Sequence, residues 1–379
     1  MRVGYISTYP PTECGIATYT QYLTEALRKK ATDVYIVCHI GGSGQQVFPA
    51  FDYEDGDLAE KAYSTMVRFT PDVVHVQHEY GLFGKYHGVS VVPLLIQFRM
   101  LGIPVVTTLH TVYQDTDPAH TILMESIVLN SDRVIIHEEY QRKALEQTLP
   151  AGLRSKIVVI PHGAREVEIL PDARKDLGLP EDKKIILIIG YIRPSKNFEL
   201  VIDIFPKVLE RFPEALLVMA GKIRGQEYVD YRNFLFQKIA QSPARENIII
   251  IRGQLPQDVF DKLLCASDVV VLPYKISSQS GILAHCLSFG RPIVASNSQA
   301  LLDAMAKTKA GLVCDGEVDF VDNIVRILSN PDFANTLSEN GRRYVREHIS
   351  WSIVADKHLA LYREVTDIPN VQAKIITTA

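Results

Sequence analysis

A chain of 379 residues is too long for one hydrophobic core and is sized for two or three domains of ~150 residues each. Its 47% hydrophobic and 22% charged residues, with a mean hydropathy of +0.04, belong to an ordinary globular protein and exclude a disordered or fibrous one. The formal charge of −4, from 40 basic and 44 acidic residues without a long run of one sign, speaks against a nucleic-acid partner, so any anionic ligand must be met by a few placed side chains.

In chain order, short runs rich in β-branched residues at 2–7, 34–38, 73–77, 104–109, 133–136 and 156–160 alternate with helical patterns. That rhythm predicts a parallel sheet flanked by helices. Beyond a charged, proline-containing stretch around 169–184 it restarts with runs at 185–190, 216–220, 247–251, 269–273 and 292–295, which predicts a second Rossmann-like domain. The expected division is an N-terminal domain over 1–168 and a C-terminal one over 169–355, with 356–379 as a closing helix and tail. Apolar stripes such as Ile16, Tyr19, Leu23 and Leu27 are core positions of the intervening helices. The last helical pattern, from Trp351 to about Val365, fits packing on either domain.

The five cysteines (Cys14, Cys38, Cys265, Cys286 and Cys314) are odd in number, widely spaced and free of C-x-x-C pairs, which suggests neither disulfides nor zinc. The opening residues read as a strand and not as a secretory leader, and no apolar run approaches the ~20 residues of a membrane span. A cytoplasmic location is therefore expected. Peripheral contact with a membrane is left open, as is the oligomeric state.

In open parallel sheets ligands bind at the carboxyl ends of strands, where helix N-termini present unpaired N–H groups. Five such loops are furnished for chemistry. The first places Gly15 at a helix start, where a missing Cβ admits a ligand or simply serves a turn. The second runs His75-Val76-Gln77-His78-Glu79-Tyr80, offering His78, Glu79 and Tyr80 to an acceptor, with Glu79 as an acid–base candidate or a plain capping carboxylate. A third is Thr107-Thr108-Leu109-His110, where His110 stands at a strand end; His162, in Pro161-His162-Gly163, reads first as linker geometry. In the fourth, from Gly190 to Lys196, Arg193 and Lys196 lie three apart and can grip a diphosphate, each charge-assisted bond being worth ~1.5–3 kcal/mol. The fifth, from Pro273 to Leu283, carries Gln279 and Ser280 into the helix start at Gly281 and Ile282, an anion site with Ser280 as cap or donor.

Taken in order, Gly15, Thr108-Leu109-His110, Ile160-Pro161-His162-Gly163, Gly190 to Lys196, Ala220-Gly221, Pro273 to Gly290 and Trp351 resemble the family-four glycosyltransferases of the GT-B fold, glycosyl transferases group 1, over nearly the whole chain. The resemblance implies two facing Rossmann-like domains, a nucleotide-sugar donor on the second, a saccharide acceptor mainly on the first, and a terminal helix returning to the first. It implies hexosyl transfer with no metal or other cofactor, Arg193 and Lys196 neutralising the departing diphosphate while His110 and Glu79 orient the sugars. Donor contacts fall on Gly15, Arg193, Lys196, Gly221, Gly253, Gln254, Gln279, Ser280, Gly281 and Ile282, with the base near Arg252, Gly253 and Gln254. GDP-mannose is expected as donor, a UDP-hexose next, and retention of configuration is the implied outcome.

Two departures stand out. The arginine that usually follows the strand-end glycine is Tyr191 here, with Arg193 two residues on, and the places of the family's paired glutamates are held by Ser277 and His285. This variant form resembles a subgroup without the pair. A dinucleotide-dependent oxidoreductase or epimerase is the competing enzyme class, but it requires a G-x-G-x-x-G fingerprint that neither half supplies clearly. A sugar-nucleotide-binding protein without catalysis is the third reading.

Overall fold

The computed structural model describes residues 1–114, 116–223, 227–253, 255–276 and 280–366. The chain forms two compact units, residues 1–163 with 351 onward, and residues 164–350.

Unit 1 is built on seven parallel strands: β1 (Arg2–Ser7), β2 (Asp33–His39), β3 (Val47–Phe51), β4 (Val73–His78), β5 (Val105–Leu109), β6 (Arg133–Ile136) and β7 (Ile157–Val159). Their spatial order is β3-β2-β1-β4-β5-β6-β7, so the direction of winding reverses between β1 and β4. Each face of the sheet carries its own apolar layer. Ile6, Val76, Phe83, Leu95 and Phe98 belong to one. Tyr5, Tyr19, Leu23 and Ile36 belong to the other, together with Trp351, Val354 and Tyr362 of the last helix, Trp351–Thr366. That helix packs beside Gly15–Lys29, and the indole lies so close to Gly163 that a Cβ there would come within 2.3 Å of it. The closing helix therefore completes unit 1, the alternative that periodicity could not choose.

Unit 2 has six parallel strands: β8 (Lys184–Ile189), β9 (Ala215–Gly221), β10 (Ile248–Arg252), β11 (Val269–Leu272), β12 (Ile293–Ser296) and β13 (Gly311–Cys314). The order is β10-β9-β8-β11-β12-β13, with a second reversal between β8 and β11. Helix Phe198–Arg211 buries Phe198, Val201, Ile202, Phe205 and Val208 against the sheet. At the other sheet face Leu187, Val218, Leu272 and Leu287 share a layer.

Three features depart from the sequence reading. β3 and β13 were not expected; both are edge strands, where short length and, in β3, Pro49 are tolerated because one side needs no partner. The division also falls at 163/164 and 350/351 and not at 168/169 and 355/356. Ala164 donates to the Ile349 carbonyl at 2.8 Å and Arg165 forks onto Asp261 at 2.6 and 2.9 Å, which fixes 164–168 in unit 2. Trp351, Val354 and Ala355 instead sink into the layer of Tyr19 and Leu23.

Candidate active site

In unit 1 the carboxyl ends of β4 and β5 run in register, Gln77 beside Thr108 and His78 beside Leu109. Alternation along β4 puts His75 and Gln77 on one face. There they start a chain of hydrogen bonds. His110 Nε2 donates to Gln77 Oε1 at 2.8 Å, and the Gln77 amide nitrogen lies 3.3 Å from His75 Nε2, which also accepts from Thr108 Oγ1 at 2.7 Å. His75 Nδ1 then donates to the Tyr362 hydroxyl at 2.6 Å, itself 2.5 Å from that of Tyr5. An amide has one accepting and one donating end, so this orientation places a proton on His110 Nε2 and leaves its Nδ1 with the lone pair.

All of these groups are buried. Burial, reinforced by the surrounding histidines, holds His110 and His75 well below the ordinary imidazole range, and burial draws His137 down to about 4. His110 is thus neutral at pH 7, a hydrogen-bonding group and not a cation. Tyr19 packs edge-on to His110 with centroids 4.9 Å apart, and its ring also meets His162 and Trp351.

Glu79 Oε1 accepts from the Tyr80 backbone N–H at 3.0 Å and Oε2 from the Thr111 hydroxyl at 2.6 Å, which ties the loop after β4 to the loop after β5. His78 departs from its expected role. It ends β4 and does not enter the loop, it is wholly buried against Phe83 and Tyr80, and burial lowers its pKa to about 3. Gly15 starts its helix with nothing within 4 Å of the Cβ it lacks, so no neighbour in the fold demands the glycine.

In unit 2 four strand-end loops converge. Gly190 and Gly221 both have positive φ, 137° and 152°, and a Cβ on Gly221 would fall 1.9 Å from the Gly190 carbonyl oxygen, so this crossing admits only glycine. Gly253 donates to the Gly221 carbonyl at 3.3 Å, and Ile282 lies 3.9 Å from the space a Cβ on Gly190 would fill. Lys275 N–H donates to the Ser195 carbonyl at 3.0 Å, joining the loop after β8 to the one after β11. At that junction the Lys196 ammonium sits 3.3 Å from the centroid of the buried Tyr274 ring. Burial first, and the positive charge of Arg193 second, pull Lys196 down to about 7, while Arg193 itself is exposed.

Ser280 caps helix Gly281–Ser288, its hydroxyl accepting from Leu283 N–H at 3.3 Å, and Gly281 has open space where a Cβ would be. His285, one turn on, has its Nδ1 3.5 Å from Arg165 Nη2 and its ring against Phe260; burial lowers it to about 4. A guanidinium thus stands next to the place where a carboxylate was expected. Gln254, Ser277 and Gln279 lie outside the described residues. Among the described residues no group of three or more His, Cys, Asp or Glu side chains could hold a metal ion, and no helix is long and apolar enough to cross a membrane.

The structure therefore brings together Gly190, Arg193, Lys196, Gly221, Gly253, Ser280, Gly281 and Ile282 in unit 2, and Glu79, Tyr80 and His110 in unit 1. Three contributors were missed. Tyr274 carries the lysine, Gln77 orients the histidine, and Tyr362 reaches both His75 and Tyr5 from the far end of the chain. Its place one strand step beyond His75, on the same face of β4, was the available signal for Gln77; nothing local marked the two tyrosines.

Two parallel α/β units, the second with glycines and a lysine gathered at its strand ends, have the architecture of GT-B glycosyltransferases. Residues 171–344 match the family described as Glycosyl transferases group 1, and residues 14–165 match Glycosyltransferase Family 4. The chain belongs to the family-four, group 1 glycosyltransferases. An uncharacterized glycosyltransferase of Methanocaldococcus jannaschii is 29% identical over 193 residues, half of this chain and 47% of that protein, so the match spans about half of the relative's length. The alpha-monoglucosyldiacylglycerol synthase of Streptococcus pneumoniae is 24% identical across 89% of this chain and 81% of its own. Among solved structures, the sucrose-phosphate synthase of Thermosynechococcus elongatus superposes with a TM-score of 0.80 at 18% identity, covering 97% of this chain and 99% of that one.

Proposed function

We propose that the protein transfers a hexosyl group from a nucleoside-diphosphate sugar held by unit 2 to a saccharide or glycoconjugate acceptor met by unit 1. The observation that carries this reading is Lys196, a half-buried ammonium on the Tyr274 ring, with Arg193 beside it and the Ser280-capped helix start across the same junction. A lysine held partly neutral by desolvation takes up a proton and gains a full charge when an anion arrives, so diphosphate binding is coupled to its protonation. As the glycosidic bond breaks, negative charge grows on the departing diphosphate. Arg193, Lys196 and the N–H groups at Gly281 and Ile282 are the groups that stabilise it, without a cofactor or resident metal. Neutral His110 offers Nδ1 to a sugar hydroxyl, and Glu79 fixes the loops that carry it.

Retention of configuration, with the leaving phosphate taking the acceptor's proton, is the outcome the family resemblance implies; the competing route, opened by Ser277 and His285 in place of the paired glutamates, is inversion with Glu79 or His110 as the base. The glucosyl name of the Streptococcus relative draws the donor reading towards a UDP-hexose, with GDP-mannose the competitor. A thermal-shift screen with UDP-glucose, GDP-mannose, the free nucleotides and NAD(P), EDTA present, separates these. Stabilisation by one sugar nucleotide, abolished by Lys196→Ala in a folded variant, supports the assignment. Stabilisation by NAD(P) alone overturns it.

A further inference from the structure

We propose that Tyr80, His87, Tyr113 and His120 form an aromatic platform that stacks one face of a neutral pyranose ring in the acceptor; the proposal rests on the reading that unit 1 takes the acceptor. The four rings come from the segments that follow β4 and β5, the ligand-binding edge of a parallel sheet. Tyr80 and Tyr113 lie nearly parallel, 11° apart with centroids separated by 5.7 Å. His120 stands edge-on to both, at 4.8 Å from Tyr80 and 5.8 Å from Tyr113, and His87 closes the group 4.3 Å from His120.

Tyr80 packs against the apolar layer and the His120 side chain is 16% exposed, so these two support the group from beneath, while Tyr113 is 41% exposed and His87 is exposed. Its neighbour Tyr86 is 83% exposed. Backbone geometry says the same. Tyr86 and His87 are both left-handed, with φ of 55° and 60°, a conformation that bulky L residues adopt at a cost and that burial of their side chains does not offset here. Rigidity is supplied from beneath: Asp117 caps helix Pro118–Leu129 and also holds His120 Nδ1 at 2.8 Å.

The chemistry selects the ligand. A pyranose presents a face of C–H groups, attracted to the electron-rich face of an aromatic ring, and a rim of hydroxyls that need hydrogen-bonding partners. The exposed Tyr113 and His87 rings provide an aromatic face with polar groups beside it, whereas the Tyr80 hydroxyl is buried and His120 Nδ1 already meets Asp117.

The test is saturation-transfer NMR on the full chain with methyl α-D-glucopyranoside and methyl α-D-mannopyranoside as probes, on wild type, Tyr113→Ala, Tyr113→Phe and His87→Ala. Support is saturation concentrated on one ring face, binding weakened on the order of ten-fold in Tyr113→Ala, and recovery in Tyr113→Phe. Uniform saturation, or affinity unchanged in both alanine variants, overturns the platform. Thermal stabilisation by UDP-glucose and GDP-mannose is measured on the same samples. If a nucleotide sugar binds and neither glycoside does, the platform fails and the donor reading stands; if only the glycosides bind, the donor reading fails and the platform stands.

Discussion

Lys196 allows a quantitative pH prediction. With its pKa at about 7 in the empty protein, the ammonium is about nine-tenths charged at pH 6 and about one-tenth charged at pH 8. A nucleotide sugar has no phosphate proton to lose in that range, so the lysine sets the slope. If the bound diphosphate raises the lysine pKa well above 8, the dissociation constant of UDP-glucose, or of GDP-mannose should that be the donor, rises about ten-fold from pH 6 to pH 8. The sign follows from the direction of the shift: binding favours the protonated lysine, so affinity falls as pH rises through 7. Lys196→Ala removes one charge-assisted contact of ~1.5–3 kcal/mol, a loss of about 10- to 150-fold at pH 6, and flattens the pH profile. Isothermal titration across pH 6–8 on both proteins reads the two effects. A flat wild-type profile, or an unchanged slope in the alanine variant, would refute the assignment.

The same logic makes Lys196→Met stabilising. A folded pKa below the unfolded one disfavours folding at pH values below the unfolded pKa, so the variant should melt higher than wild type at pH 7 while failing to bind donor. Gly221→Ala should be the costlier change, since its Cβ meets the Gly190 carbonyl in a left-handed backbone; a fall in melting temperature together with loss of nucleotide binding is expected. Gln77→Glu puts a carboxylate against His110 Nε2 and should raise that imidazole's pKa, visible as a shifted histidine titration by NMR without unfolding. Tyr362→Phe leaves Tyr5 and His75 without their shared hydroxyl and should cost ~1–3 kcal/mol in denaturant unfolding.

Both sheets were legible as rhythm, because buried parallel strands such as Ile185-Ile186-Leu187-Ile188-Ile189 have no polar face to disguise them. Two of the edge strands, β3 and β13, were not: Pro49 in β3 argues against a strand for any reader who does not know it lies at the margin. On the site, the loop from Gly190 to Lys196 and the capped start at Gly281 could be found because charge and glycine at a strand end carry a physical meaning. What spacing cannot convey is which distant residue completes a local motif. Tyr274 is 78 positions from the lysine it supports, and Tyr362 is 287 from His75. His78 shows the converse: read as a loop residue from its type, it ends β4 on the face opposite Gln77, in a strand buried on both sides.

The closing helix also bears on how the molecule is made. Strands β1–β7 leave the ribosome early, but the side of their sheet that awaits Trp351, Val354 and Tyr362 stays open until the whole of residues 164–350 has been synthesised. At about 5–20 residues per second that interval lasts on the order of 10–40 s. During it Tyr5, Tyr19 and Leu23 lack the contacts that Trp351–Thr366 will supply. Unit 2, continuous in sequence, can finish first, so the part of the chain translated first is completed last, and a nascent chain stalled before residue 351 should present its first domain to chaperones and proteases as unfinished.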